Sequence, residues 1–172
     1  MRSAFVWTYI ALVAAQVVLG NFLNLSPFVV LCFLPAMILC LPARMSQPLV
    51  MVTAFVTGLA VDFTTHGILG LTAASLVLTA FCRNFIISLV FGDEVIARRE
   101  NISPRKQGLP KVALGILLCS AVFFAAYVWI DAAGTRSFGF NLLRMLLSTL
   151  LATPVSVPVA GLLSEEEGGI WK

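Results

Sequence analysis

Residues 112–130, Val-Ala-Leu-Gly-Ile-Leu-Leu-Cys-Ser-Ala-Val-Phe-Phe-Ala-Ala-Tyr-Val-Trp-Ile, contain no charged side chain. As an α-helix this block measures about 28 Å, close to the roughly 30 Å of hydrocarbon in a bilayer. It ends in Tyr127 and Trp129, whose rings suit a membrane–water boundary. The block reads as a transmembrane helix, and the rest of the chain repeats it.

The 172 residues are 60% hydrophobic and 11% charged, with a mean hydropathy of +1.01. Soluble domains carry about a quarter charged residues, so an ordinary water-soluble domain is excluded. Six apolar blocks are expected to span: 4–20, 26–41, 48–63, 68–91, 112–130 and 138–163. The fold class is therefore an all-α membrane protein, a six-helix polytopic bundle in a single domain over residues 1–172. The run after Arg2 has the look of a signal peptide, but the spans behind it favour a first transmembrane helix. In the second block Ser26 is placed to cap and Pro27 suits a first helical turn; Pro35 should kink the helix, and Pro42 and Arg44 stop it. Pro154 and Pro158 should kink or thin the second half of the sixth.

The polar segment 92–111 is the one long hydrophilic stretch, and it holds Arg98, Arg99, Arg105, Lys106 and Lys111. These basic residues are a topology signal rather than a nucleic-acid site, and they place the segment in the cytoplasm. With six spans and both termini inside, eight of the eleven Lys and Arg residues lie on the cytoplasmic side, against Arg136 alone outside. If block 26–41 fails to cross, five spans with the N-terminus outside give seven against two, and that alternative stays open. Cys32, Cys40, Cys82 and Cys119 all fall in apolar blocks with no C-x-x-C pair, so they read as small core residues. The acidic run Glu165–Glu167 reads as a solvated end after the last helix or as a contact for a basic cytoplasmic partner.

Three charged residues lie within the blocks: Asp62, Arg83 and Arg144. A charge at a helix centre costs about 2.5–3.5 kcal/mol on insertion scales, so each needs a partner, water or an interface. Asp62 stands near the outer end of the third block, where it reaches the interface or pairs with Arg144; Arg83 is expected to reach headgroups on the cytoplasmic side. The other roles open to this group are a proton or substrate relay and direct contact with a partner protein. Thr72, Ser75, Thr79 and Arg83 lie three or four apart, a polar stripe that should face protein. Helices in lipid associate through small residues, which singles out Ala11 and Ala15 in the first block and Ala54 and Gly58 in the third, with intramolecular packing as the default and a partner face as the alternative. His66, the only histidine, stands in a turn with Gly67. No metal or cofactor site emerges, and no G-x-S-x-G or intramembrane carboxylate pair marks an enzyme. An intramembrane enzyme acting on a lipid-linked precursor would have to use Asp62 and His66 as acid and base.

The string Gly58-Leu-Ala-Val-Asp62-Phe63, followed by Gly67-Ile-Leu-Gly70-Leu71 and then Ala80-Phe-Cys-Arg83, resembles the rod shape-determining protein MreD family. Pro27 is similar to that family's proline at the start of the second span. The likeness covers the chain in length and span order, with specific motifs in about residues 50–90. It departs after Arg83, where Asn84 stands in place of the expected proline. The resemblance implies a non-enzymatic inner-membrane subunit of the bacterial elongation machinery, associated with MreC and through it with RodA, its partner transpeptidase and MreB. It also implies a fold similar to the substrate-binding subunits of energy-coupling-factor transporters, in which Ala11 and Ala15 resemble the small-residue face toward the coupling partner. A vitamin-binding subunit is accordingly the alternative function.

Overall fold

In the computed structural model, residues 3–22, 30–65, 68–92, 94, 102, 107–132 and 137–168 are described. Among them the secondary structure is helical throughout: α1 (Ser3–Phe22), α2 (Leu34–Leu39), α3 (Gln47–Thr64), α4 (Leu71–Phe91), α5 (Leu109–Ala132) and α6 (Phe138–Gly168). All but α2 are long and apolar enough to cross a membrane. Five blocks of the sequence therefore become long helices close to their expected bounds. Block 26–41 does not.

The second block departs from expectation because Pro35 begins a helix instead of kinking one. Residues 30–33 are non-helical, Phe33 is the N-cap of α2, and Pro35 falls in its first turn, where a missing N–H costs nothing. The six residues of α2 rise about 9 Å, far short of a bilayer. The proposed cap at Ser26 and the Pro27 turn lie outside the described residues.

The short helix is the centre of the molecule. α3 packs on α4, α4 on α5, α5 on α6, α6 on α1, and α1 on α3, which closes a ring of five; α2 sits inside it against α1, α4, α5 and α6. Leu34, Met37, Ile38 and Leu39 are fully enclosed, with Leu76, Ile116, Phe123, Phe124 and Leu163 among the buried side chains of the ring. Lipid-exposed irregular backbone is not tolerated at membrane depth, so an unwound stretch belongs inside such a ring.

The ring also fixes the direction of each crossing. Tyr9 hydrogen-bonds Thr57 at 2.9 Å, and the Asn21 amide donates to the carbonyl of Thr64 at 3.4 Å, so α1 and α3 run parallel. Two successive parallel helices require the chain between them to return across the bundle, and residues 30–41 are part of that return. The chain thus traverses the ring six times, the second time through the middle, where residues 30–33 are non-helical and only the short α2 is helix among the described residues. One face carries the starts of α1, α3 and α5 and the ends of α4 and α6; Arg44 and Lys111 lie toward it.

Two other boundaries differ from the sequence reading. α4 starts at Leu71 rather than Ile68 because Gly70 adopts φ +92°, a left-handed conformation that ends the preceding turn. α6 continues through Pro154 and Pro158 to Gly168, about 46 Å long, so it overshoots the hydrocarbon layer.

Candidate functional site

The third block's small-residue face closes against α4. Ala54, Gly58 and Asp62 are all buried, at the i, i+4 and i+8 positions the sequence placed on one face. A β-carbon on Gly58 would come within 2.4 Å of the Ala73 Cα and 2.7 Å of its nitrogen. The two backbones touch there, which only glycine permits.

One turn further on, the Asp62 carboxylate receives the first turn of α4. The N–H of Gly70 donates to Oδ2 at 2.9 Å, that of Thr72 to Oδ2 at 3.1 Å and Oδ1 at 3.2 Å, and that of Ala73 to Oδ2 at 3.2 Å. Gly70 has no capping side chain of its own, so a residue on the neighbouring helix serves as the cap. The carboxylate is favoured by the positive end of the helix dipole and by three N–H donors. This explains how a carboxylate only 5% exposed is held inside the bundle. The expected pairing of Asp62 with Arg144 is corrected: the aspartate is satisfied by backbone.

Arg144, in α6, pairs instead with Asp131, at the end of α5. The charge that sequence reasoning passed over is Asp131, which looked like an ordinary loop residue. Its signal was proximity: it precedes the sixth block by seven residues, on the side from which Arg144 is two turns deep.

Arg83 does not reach headgroups. Its side chain is 3% exposed and lies against the end of α2, where Nε and Nη2 both donate to the carbonyl of Leu39 at 3.3 Å and Nη2 donates to that of Leu41. A helix end leaves carbonyls without partners and carries partial negative charge, and a forked guanidinium answers both needs. The stripe of Thr72, Ser75, Thr79 and Arg83 is buried, as expected. Ser75 and Thr79 donate back to the carbonyls of Leu71 and Ser75 within their own helix.

Sequence reasoning missed Gln16, a lone primary amide in an apolar block. Its Nε2 donates to the carbonyl of Leu31, and its Oε1 accepts from the N–H of Phe33, both at 3.1 Å. The remaining candidates separate. Ala15 is half-buried against the core, Ala11 is exposed on α1, and Gly67 and His66 lie outside the described residues. Of the cysteines, Cys32, Cys40 and Cys119 are buried and Cys82 is half-buried, and none of the four forms a disulfide.

Among the described residues these features define an all-helical protein with five helices long and apolar enough to span a membrane, knitted by side chains that satisfy backbone on neighbouring elements. No family model matches the chain, and neither a curated protein nor a solved structure matches it.

Proposed function

We propose that the protein is a non-enzymatic scaffold of the bacterial cell-elongation machinery, a multi-pass inner-membrane subunit of the kind the MreD family supplies. It binds MreC through helix faces in the bilayer, and through it serves RodA, the partner transpeptidase and MreB. Its basic face, with both termini, lies in the cytoplasm. The observation that carries the reading is the joint between α3 and α4. Gly58, Asp62 and Gly70, three residues of the resemblance, meet in one closed contact between helices. A motif spent on architecture suits a protein whose work is to hold helices in place. The carboxylate that an intramembrane enzyme would use is occupied by three backbone N–H groups.

Because Gly58 faces α4, it supports partner faces without touching a partner. Candidate faces are those left open, such as the outer surface of α1 with Trp7, Ile10, Ala11 and Val18. The test is recovery of MreC from the same genome with the tagged protein in mild detergent. Wild type retains MreC, and Ala11→Leu, which adds bulk only on an exposed face, reduces recovery about tenfold. Absence of MreC from the wild-type complex defeats the reading. A vitamin that stabilises the purified protein by about 2.7 kcal/mol at a hundred times its Kd would favour the transporter alternative.

A further inference from the structure

The second crossing carries two conflicting instructions. Its sequence supports a continuous helix ending at Leu41, whereas the protein leaves residues 30–33 unwound and starts α2 at Leu34. The break falls where Pro35 makes a helix weakest. In a continuous helix the carbonyl of Leu31 would accept from the N–H of residue 35, and proline has none. In the protein that carbonyl takes the Gln16 Nε2 instead, while the N–H of Phe33 donates to Oε1 of the same amide.

Other backbone groups of the same segment are served in the same way. The N–H of Val30 donates to the Ser148 hydroxyl at 3.0 Å, and Arg83 donates to the carbonyls of Leu39 and Leu41. Five backbone groups of one short segment thus depend on side chains from α1, α4 and α6. Lipid tails are as apolar as Leu and Met, so hydrophobic burial scarcely separates the buried form from a lipid-facing one. The difference lies in where the backbone finds partners. The broken form borrows them from Gln16, Ser148 and Arg83; a continuous helix would supply partners for the N–H groups of Val30 and Phe33 itself and leave wanting the Leu31 carbonyl and, in its last turn, those of Leu39 and Leu41.

We propose that residues 30–41 are a two-state element, broken and docked inside the ring in one state and a continuous helix displaced from its centre in the other, with Gln16, Ser148 and Arg83 as the latch for the docked state. The latch sits on helices that face lipid on their other sides, so a lateral contact that shifts α1 or α6 by one side chain biases the equilibrium. The inference does not depend on which protein makes that contact.

The native thiols Cys32 and Cys40, each 5% exposed, flank α2 and report its state. Full-length protein retaining one of them, with the other cysteines replaced by alanine, is placed in lipid nanodiscs. The rate of N-ethylmaleimide labelling and the far-ultraviolet circular dichroism are then measured together. The parent labels slowly. Gln16→Leu and Arg83→Gln, which open the latch, label about tenfold faster or more and gain helix. Pro35→Ala, which gives the Leu31 carbonyl its own donor and leaves the latch intact, shifts both readings the same way. Unchanged labelling in Gln16→Leu and Pro35→Ala overturns the proposal. So does faster labelling with a loss of helix, which is plain unfolding. Should Arg83→Gln fail to accumulate, the two uncharged variants decide the outcome.

Discussion

Gly58 and Ala73 bring α3 and α4 into backbone contact: a β-carbon on the glycine would lie 2.4 Å from the Ala73 Cα. The obstruction is main chain, so no rotamer change relieves it and the helices must part. Overpacking of this kind costs about 3 kcal/mol at the upper end of its usual range. Gly58→Ala should therefore lower unfolding stability by about that much in a steric-trapping or detergent titration. Gly139→Ala and Gly161→Ala, where an added β-carbon meets nothing within 4 Å, should be neutral or slightly stabilising. Equal behaviour of the three variants would remove the close contact from the account.

Asp62 works through both oxygens, and its variants should separate charge from hydrogen bonding. Asp62→Ala strands the N–H groups of Gly70, Thr72 and Ala73 inside the bundle and removes the side-chain cap at the start of α4. The expected loss is about 2–3 kcal/mol. Asp62→Asn retains one acceptor and should lose about 1 kcal/mol. Hydrogen exchange at Thr72 and Ala73 should accelerate in the alanine variant more than elsewhere in α4. Uniform acceleration along the helix would count against a local cap.

The Arg144–Asp131 pair is mostly buried, and removing either partner alone leaves a charge with reduced solvation. The single variants Arg144→Met and Asp131→Asn should each destabilise, while the double variant loses less than their sum. The coupling should be about 1–2 kcal/mol. Strict additivity would show that the pair does not act as a unit.

The helices were legible in the sequence and their polar ties were not, for a physical reason. Apolar length is a local property, so blocks such as 112–130 declare themselves. The buried face of Ala54, Gly58 and Asp62 also follows from helical spacing alone. The partner of a buried polar group is non-local. Arg83 serves carbonyls 42 and 44 residues away, Gln16 serves a backbone amide 17 residues on, and Asp62 serves N–H groups that exist as a cluster only once α4 has started. The second block shows the same limit: Ser26, Pro27 and a run of apolar residues argue for a helix, and the side chains that serve the non-helical residues 30–33 belong to other elements. For Asp62 and Arg144, opposite charge toward the same side of the membrane suggested a pair, but each found a nearer partner.

The direction of the crossings yields a topology that labelling can check. α3 and α4 run in opposite directions, so Arg44 and Gln107 share a face, while Leu69 and Ser137 share the other. The positive-inside rule predicts that the first pair is cytoplasmic, because the connection from α4 to α5 holds Arg98, Arg99, Arg105 and Lys106. In a cysteine-free background, Leu69→Cys and Ser137→Cys should react with a membrane-impermeant maleimide on intact spheroplasts. Arg44→Cys and Gln107→Cys should react only after permeabilisation. Reversal of all four would overturn the orientation and preserve the fold; Arg44 and Gln107 on opposite sides would refute the opposed crossings of α3 and α4.

Arg83 sets two energies against each other, and the measurement chosen decides which is seen. Replacing it with leucine relieves the insertion of α4 of a charge worth about 2.5–3.5 kcal/mol at a helix centre. It also leaves the Leu39 and Leu41 carbonyls without their donor inside the ring, at about 1–3 kcal/mol each. The insertion term acts before the bundle exists, and the hydrogen-bond term acts only once α2 is seated. Arg83→Leu should therefore raise the inserted fraction of an isolated α4 segment in a translocon assay while lowering the thermal stability of the assembled protein. Arg83→Lys keeps the charge but lacks the fork that reaches both carbonyls, so it should insert as poorly as wild type and still lose stability. If Arg83→Lys were as stable as wild type, charge alone would hold the end of α2, and the two-carbonyl geometry would be incidental.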